Sequence, residues 1–221
     1  VSVTELRVEG MLFDMDGVLV SSIASANRCW KLWAKHYGVA NWQDVEIPHG
    51  TRAEEIVQLL APHVDVAEGL HRIEDMEIAD VHDIVTLPGA RDLLQSMPLE
   101  RWAIVTSATD RLLQARLRAA GLPQPDRLIS ANVVTRGKPD PQPYLMGAAR
   151  LGVAATDCLV FEDAPSGVRA GVAAGARVVG VLGTTPAETL LAEGASWLVP
   201  SLAAVRAIAG ADGLTVTIDA V

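Results

Sequence analysis

The chain has 221 residues, half of them hydrophobic, and a formal net charge of −9. That length fits one domain of ordinary size plus a smaller insertion, and the apolar content is enough for a large core. The acidic balance argues against a nucleic-acid partner, which favours a basic stripe, but leaves a phosphate-bearing substrate open because local lysine and metal charge decide that.

Residues 6–13 read as the first strand, which delivers Asp14 and Asp16 with Gly17 directly behind them. From Ser21 the pattern turns helical: Ile23, Ala26, Trp30, Trp33 and Tyr37 recur at three- and four-residue steps, with Gly38 placed to end the helix. Trp30, Trp33 and Trp42 read as core of a small helical unit; the alternative is that one faces a ligand. His49-Gly50-Thr51-Arg52 breaks the chain before a second helix over 53–60, and a third helical pattern runs from Val66 to Val81. Residues 20–85 thus contain helices and no convincing strand. Leu87-Pro88-Gly89 marks the return, with a short helix over 90–97.

Beyond Pro98 the texture alternates. Strands are expected over 102–105, 128–129, 158–161, 177–181 and 197–199, with helices over 110–120, 141–151 and 167–174 between them. Gly121, Gly152 and Gly175 fall where helix C-caps belong. Near-continuous apolar strands alternating with helices predict an α/β fold, a Rossmann-like parallel sheet covered on both faces. The tail over 213–221 alternates and is expected to be an edge strand or hairpin arm. Cys29 and Cys158 have no metal-site spacing and read as reduced thiols of a cytoplasmic protein. The mixed, polar first ten residues predict no leader, and no apolar run approaches the ~20 residues of a membrane helix.

Ligands of such sheets bind beyond the carboxyl ends of the strands, and those ends carry the chemistry here. Asp14 and Asp16 supply two carboxylates, one able to attack while the other donates a proton; the bland alternative is an aspartate-rich turn. Thr106-Ser107-Ala108-Thr109 offers hydroxyls and free amides at a helix start, an anion site or a simple N-cap. Glu162-Asp163 is a second acidic pair, and two such pairs at one sheet edge repel unless a cation such as Mg²⁺ lies between them. Gly137-Lys138-Pro139 fixes one lysine in a stiff loop. A carboxylate nucleophile, a second carboxylate, a hydroxyl, a lysine and an acidic pair together suit phosphoryl transfer.

Four stretches in order carry a resemblance to the haloacid dehalogenase-like hydrolase superfamily: Phe13-Asp14-Met15-Asp16-Gly17-Val18-Leu19, Val105-Thr106-Ser107, Gly137-Lys138-Pro139 and Phe161-Glu162-Asp163-Ala164-Pro165-Ser166-Gly167. The likeness is nearest to the sugar-phosphatase subgroup with a small helical cap, including bacterial sugar phosphatases and yeast glycerol-3-phosphate and 2-deoxyglucose-6-phosphate phosphatases. It implies a core domain over 1–19 and 87–221 with a helical cap domain over 20–86. It further implies that Asp14 is the nucleophile and Asp16 the acid and base. Mg²⁺ would be held by Asp14, the Asp16 carbonyl and Asp163, with Glu162 nearby or through water. Thr106 and the amides around Ser107 and Ala108 would hold the phosphoryl oxygens, and Lys138 would neutralise charge. The cap would bring His49, Gly50 and Arg52 to the leaving group.

Two departures matter. Ser21 stands where many relatives carry an aspartate, which predicts a weaker hinge contact. The cap histidine of β-phosphoglucomutases is missing from Ala24-Ser25-Ala26-Asn27, which favours phosphatase over mutase. The retained Asp16 speaks against dehalogenation, and Lys31 and Lys35 do not match the phosphonate-cleaving pattern. A silent phosphosugar-binding protein is the reading from another class. The expectation is a monomeric, Mg²⁺-dependent phosphatase of small phosphorylated sugars or polyols, with no nucleic-acid or membrane partner.

Overall fold

A computed structural model describes residues 2–221. Its centre is a six-stranded sheet in the order β6-β5-β2-β7-β8-β9, every neighbouring pair parallel. The strands are β2 (Gly10–Phe13), β5 (Trp102–Val105), β6 (Leu128–Ile129), β7 (Cys158–Glu162), β8 (Arg177–Val181) and β9 (Trp197–Val199). β2, β5 and β7 are buried along their whole length. This is why they read as unbroken apolar runs: both faces are covered.

The period-two alternation of each strand divides its side chains between two cores. Met11, Phe13, Ile104, Leu159, Phe161 and Val179 face one layer, which contains α4 (Ala90–Gln95) and α5 (Asp110–Ala120). Leu12, Ala103, Val105, Val160 and Val178 face the other, with α6 (Gln142–Leu151), α7 (Pro165–Ala173) and α8 (Ala187–Ala192).

Three strand expectations are corrected. The apolar stretch over 6–13 is two strands, because the chain changes sheets at Glu9. β1 (Ser2–Val8) joins a separate antiparallel sheet, and only β2 enters the parallel one. The tail, β11 (Gly213–Ala220), is a hairpin arm with β10 (Val205–Gly210), but it is the middle strand of that sheet, between β1 and β10. Leu214, Val216 and Ile218 therefore pack inward onto the first core. Finally, β3 (Val20–Ser21) and β4 (Val85–Thr86) pair antiparallel where no strand was expected. Two residues are too short a run for a periodicity signal.

Between β3 and β4 lie α1 (Ile23–His36), α2 (Ala53–Leu60) and α3 (Val66–Ala79). They enclose their own apolar cluster around Trp30, Trp33, Ile56, Val57 and Ile73. Trp33 is fully buried and its indole N–H donates to the Gly69 carbonyl at 2.8 Å, so its polar atom is satisfied as well. Ser21, at the departing strand, makes two long contacts of 3.4 Å across to Asp83 O and Val85 N. No helix among the described residues is long and apolar enough to cross a membrane.

Candidate active site

The carboxyl ends of the three central strands converge. Asp14 directly follows β2, Thr106 directly follows β5, and β7 ends in Glu162 with Asp163 behind it; all four side chains are buried. The Asp14 amide donates to the Phe161 carbonyl at 3.0 Å, which fixes the aspartate to the neighbouring strand. The chain then turns sharply at Gly17, whose φ is +85°, and a Cβ there would lie 2.0 Å from Asp163 Oδ2. Only glycine lets the turn pass so close to the second acidic pair.

Lys138 reaches into this cluster from its loop. Its ammonium donates to Asp14 Oδ1 at 2.5 Å, Glu162 Oε1 at 2.7 Å and the Val105 carbonyl at 3.0 Å. Glu162 is wholly engaged: Oε1 also accepts from Tyr144 Oη at 2.6 Å, and Oε2 accepts from the amides of Asp163 and Ala164 at 3.1 and 3.2 Å. Asp163 Oδ2 accepts from Thr184 Oγ1 at 2.5 Å.

Three carboxylates, Asp14, Glu162 and Asp163, offer oxygens within 4.8 Å of one another, against the single ammonium of Lys138. Burial pushes the Asp14 carboxyl up to about 7 despite Lys138, and pushes Asp163 well above the usual range. Burial works to lower Lys138, but Asp14 and Glu162 outweigh it and hold the ammonium above its ordinary value. The cluster is short of positive charge, and its donors are hard oxygens. That donor set fits a divalent cation of the Mg²⁺ type. Because both Glu162 oxygens have protein partners, Asp14 and Asp163 are the carboxylates best placed to hold one.

Asp16 points the other way, toward the helical unit. Its Oδ1 accepts from Ser22 Oγ at 2.5 Å and its Oδ2 from Arg116 Nη1 at 2.8 Å. Arg116, on α5, also donates to Glu77 Oε1 of α3 at 2.9 Å, so one buried guanidinium joins the second aspartate to the cap. Burial opposes the charge of Arg116, but Asp16 and Glu77 hold its affinity for protons above normal. Burial raises the Glu77 carboxyl, with Arg116 opposing. The sequence reading missed Ser22, Glu77, Arg116, Tyr144 and Thr184. A signal existed for two of them. Arg116 lies on the buried stripe of α5 with Leu112, Leu113 and Leu117, and Glu77 follows Ile73 by one helical turn on α3. A charge on an apolar stripe needs a partner.

Above these residues is a cavity between the two units. Asp14, Asp16, Thr106, Ser107, Ala108 and Arg116 line it from the sheet side. Trp30, Ile47, His49, Gly50, Ile56 and Glu77 line it from the cap. Trp30 therefore serves both alternatives at once: it belongs to the cap's apolar cluster and it faces the cavity. Two core hydroxyls hold the cap loop down. Ser107 Oγ donates to the Gly50 carbonyl at 2.7 Å, and Ser166 Oγ to the His49 carbonyl at 3.3 Å.

Thr106 accepts the Ala108 amide at 3.1 Å and caps nothing; the N-cap of α5 is Thr109, which accepts the Leu112 amide at 3.4 Å. The Ser107 hydroxyl is turned to the cap loop. His49 lines the cavity half-buried, and burial lowers its affinity for a proton. Arg52 does not line the cavity: it is held by Glu55 and lies across Gly137, where a Cβ would come within 2.8 Å of its Nε. The other four histidines, His36, His63, His71 and His82, are exposed.

Residues 8–175 match the family of haloacid dehalogenase-like hydrolases. The chain is 40% identical over 189 residues to hexitol phosphatase A of Escherichia coli K12, covering 83% of this chain and 87% of the relative. It is 30% identical over 213 residues to glycerol-1-phosphate phosphohydrolase 2 of Saccharomyces cerevisiae, covering 91% and 85%. A hydrolase from Pseudomonas syringae shares the fold with a TM-score of 0.75 at 25% identity, over 88% of this chain and 94% of that one.

Proposed function

This chain belongs to the haloacid dehalogenase-like hydrolases, and from that premise we propose that it is a Mg²⁺-dependent phosphatase of small phosphorylated sugars or polyols. The similarity to a hexitol phosphatase and to a glycerol-1-phosphate phosphohydrolase supports that substrate class. One observation carries the chemistry: Asp14 and Asp16, two residues apart on one turn, face different surroundings. Asp14 sits among buried carboxylates on Lys138, while Asp16 is held toward the helical unit by Ser22 and Arg116.

Asp14 attacks the phosphorus and the ester oxygen leaves, giving a phosphoaspartate and an alcohol; Asp16 protonates that oxygen. Asp16 then takes a proton from water, which attacks the phosphoaspartate and releases phosphate, returning Asp14. Lys138 balances charge on Asp14 and on the phosphoryl group. The Thr106 hydroxyl and the amides of Ser107 and Ala108 would donate to the phosphoryl oxygens, the Ala108 amide leaving Thr106 Oγ1 to do so. Mg²⁺ would be held by the Asp14 and Asp163 carboxylates with the Asp16 main-chain carbonyl, and it supplies charge neutralisation of the phosphoryl group when bound. The cap loop over 48–51, held by Ser107 and Ser166, keeps bulk water from the intermediate.

The test is phosphate release from hexose, pentose, hexitol and glycerol phosphates, with Mg²⁺ and with EDTA, beside Asp14→Asn. Release that requires both Mg²⁺ and Asp14 is expected, with polyol or sugar phosphates ranked first. No release from any ester by folded, Mg²⁺-loaded protein would refute the reading. An assay for isomerisation of β-glucose 1-phosphate with its bisphosphate activator would then follow.

A further inference from the structure

Glu77 is 4% exposed and gives only one oxygen to Arg116; its Oε2 has no protein partner among the described residues and is not sealed from solvent-sized space. It lines the cavity from the helical unit and faces Asp16 across the shared Arg116 guanidinium. Arg116 is the one guanidinium among the cavity's described lining residues, no lysine is present there, and the Arg116 fork is already divided between Asp16 and Glu77. Arg116 is thereby committed to two carboxyl groups, so a further anion on the leaving-group side meets Glu77 with no free guanidinium to offset it. The rest of the lining includes the apolar side chains Ile23, Ala26, Trp30, Ile56 and Leu112.

We infer that Glu77 is a specificity-determining residue, which accepts hydrogen bonds from hydroxyls of an uncharged polyol leaving group and excludes leaving groups that carry a second negative charge. A carbon chain bearing hydroxyls suits both kinds of lining: its C–H face would pack on Trp30 and its hydroxyls would meet the free carboxylate oxygen. A second phosphate or a carboxylate finds no uncommitted lysine or arginine among the described lining residues, and an unpaired charge brought beside a buried carboxylate is costly. The inference rests on the phosphatase reading and narrows its substrate class.

Sorbitol 6-phosphate and 6-phosphogluconate make a matched pair. Both carry the phosphate on the sixth carbon of an open chain, and they differ at the first, a CH₂OH in one and a carboxylate in the other. Wild-type protein is expected to favour sorbitol 6-phosphate by about 100-fold in kcat/KM, and Glu77→Gln to shrink that ratio by about tenfold or more. Glu77→Asp keeps the charge and is expected to keep most of the discrimination against the acid. A wild-type ratio near one overturns the inference without any variant. So does a folded Glu77→Gln whose ratio is unchanged. If no ester is hydrolysed, p-nitrophenyl phosphate included, the phosphatase reading fails and takes the inference with it; hydrolysis with a ratio near one overturns the inference alone.

Discussion

The Tyr144 hydroxyl donates 2.6 Å to Glu162 Oε1, the same oxygen that receives Lys138 Nζ at 2.7 Å. Tyr144 lies on α6, behind the sheet, and is fully buried. It and the two amides on Oε2 consume the hydrogen-bonding capacity of Glu162, so that glutamate orients Lys138 toward Asp14. Burial, then Glu162, pushes the phenol well above its usual range, so it stays a donor.

Tyr144→Phe is therefore a test of lysine placement. A hydrogen bond to a charged group contributes about 1.5–3 kcal/mol. The variant is expected to lose stability of that order and to lose activity about tenfold, with Mg²⁺ affinity unchanged. Chemical denaturation and a Mg²⁺ titration check both halves. A large fall in Mg²⁺ affinity would instead make Glu162 a metal ligand.

Metal binding should be proton-linked. Asp14 is pushed from 3.8 to about 7, so a metal-free folded chain holds a proton that the unfolded chain has lost. A raised carboxyl of this kind contributes stability fully below pH 3.8, which is lost as the pH rises through 7. Mg²⁺ must displace that proton. Its affinity is expected to be about 30-fold weaker at pH 5.5 than at pH 8, and the thermal shift it produces correspondingly smaller. Calorimetric titration at the two values decides it; equal affinities would remove Asp14 from the ligand set.

The cap loop should respond unequally to its two ends. Ser107→Ala removes one hydroxyl–carbonyl bond to Gly50, a net loss of about 0.5–1.5 kcal/mol. Gly50→Ala does more. The position has φ +78°, and a Cβ would stand 2.6 Å from Ser166 Oγ. The loop must lift, so kcat/KM on a polyol phosphate is expected to fall further in Gly50→Ala than in Ser107→Ala, while Tm falls by about 2–4 °C in Ser107→Ala. Steady-state kinetics and a melting curve of both variants give the comparison.

Neither cysteine should be reactive in the folded protein. Burial raises Cys29 and Cys158 to about 12 each, with Glu77 and Asp80 adding to the first and Asp157 to the second. At pH 8 the thiolate is then on the order of one part in 10⁴. Native protein is expected to resist a disulfide-exchange reagent at pH 8, while denatured protein reacts at both thiols. Rapid native labelling of either would contradict this burial.

The candidate site divides cleanly by how far apart its residues lie. Asp14, Asp16, Lys138, Glu162 and Asp163 were legible because each follows a short apolar strand or sits in a Gly/Pro loop, and local pattern predicts strand ends. Arg116 and Glu77 were not. Arg116 meets an aspartate 100 positions away and a glutamate 39 away, on a helix from another unit. Arg52 shows the reverse: it adjoins His49 in sequence, yet the entry into α2 directs it to Glu55 and Gly137.

By itself the sequence determined the strand–helix order, the parallel sheet and the residues at its central strand ends, because buried strands must be apolar and their ends need not be. The tertiary structure decided that the stretch over 6–13 serves two sheets, that Glu162 holds a lysine, and that a guanidinium ties Asp16 to the cap. Periodicity tells which face of an element is buried; it carries no record of which distant face lies against it.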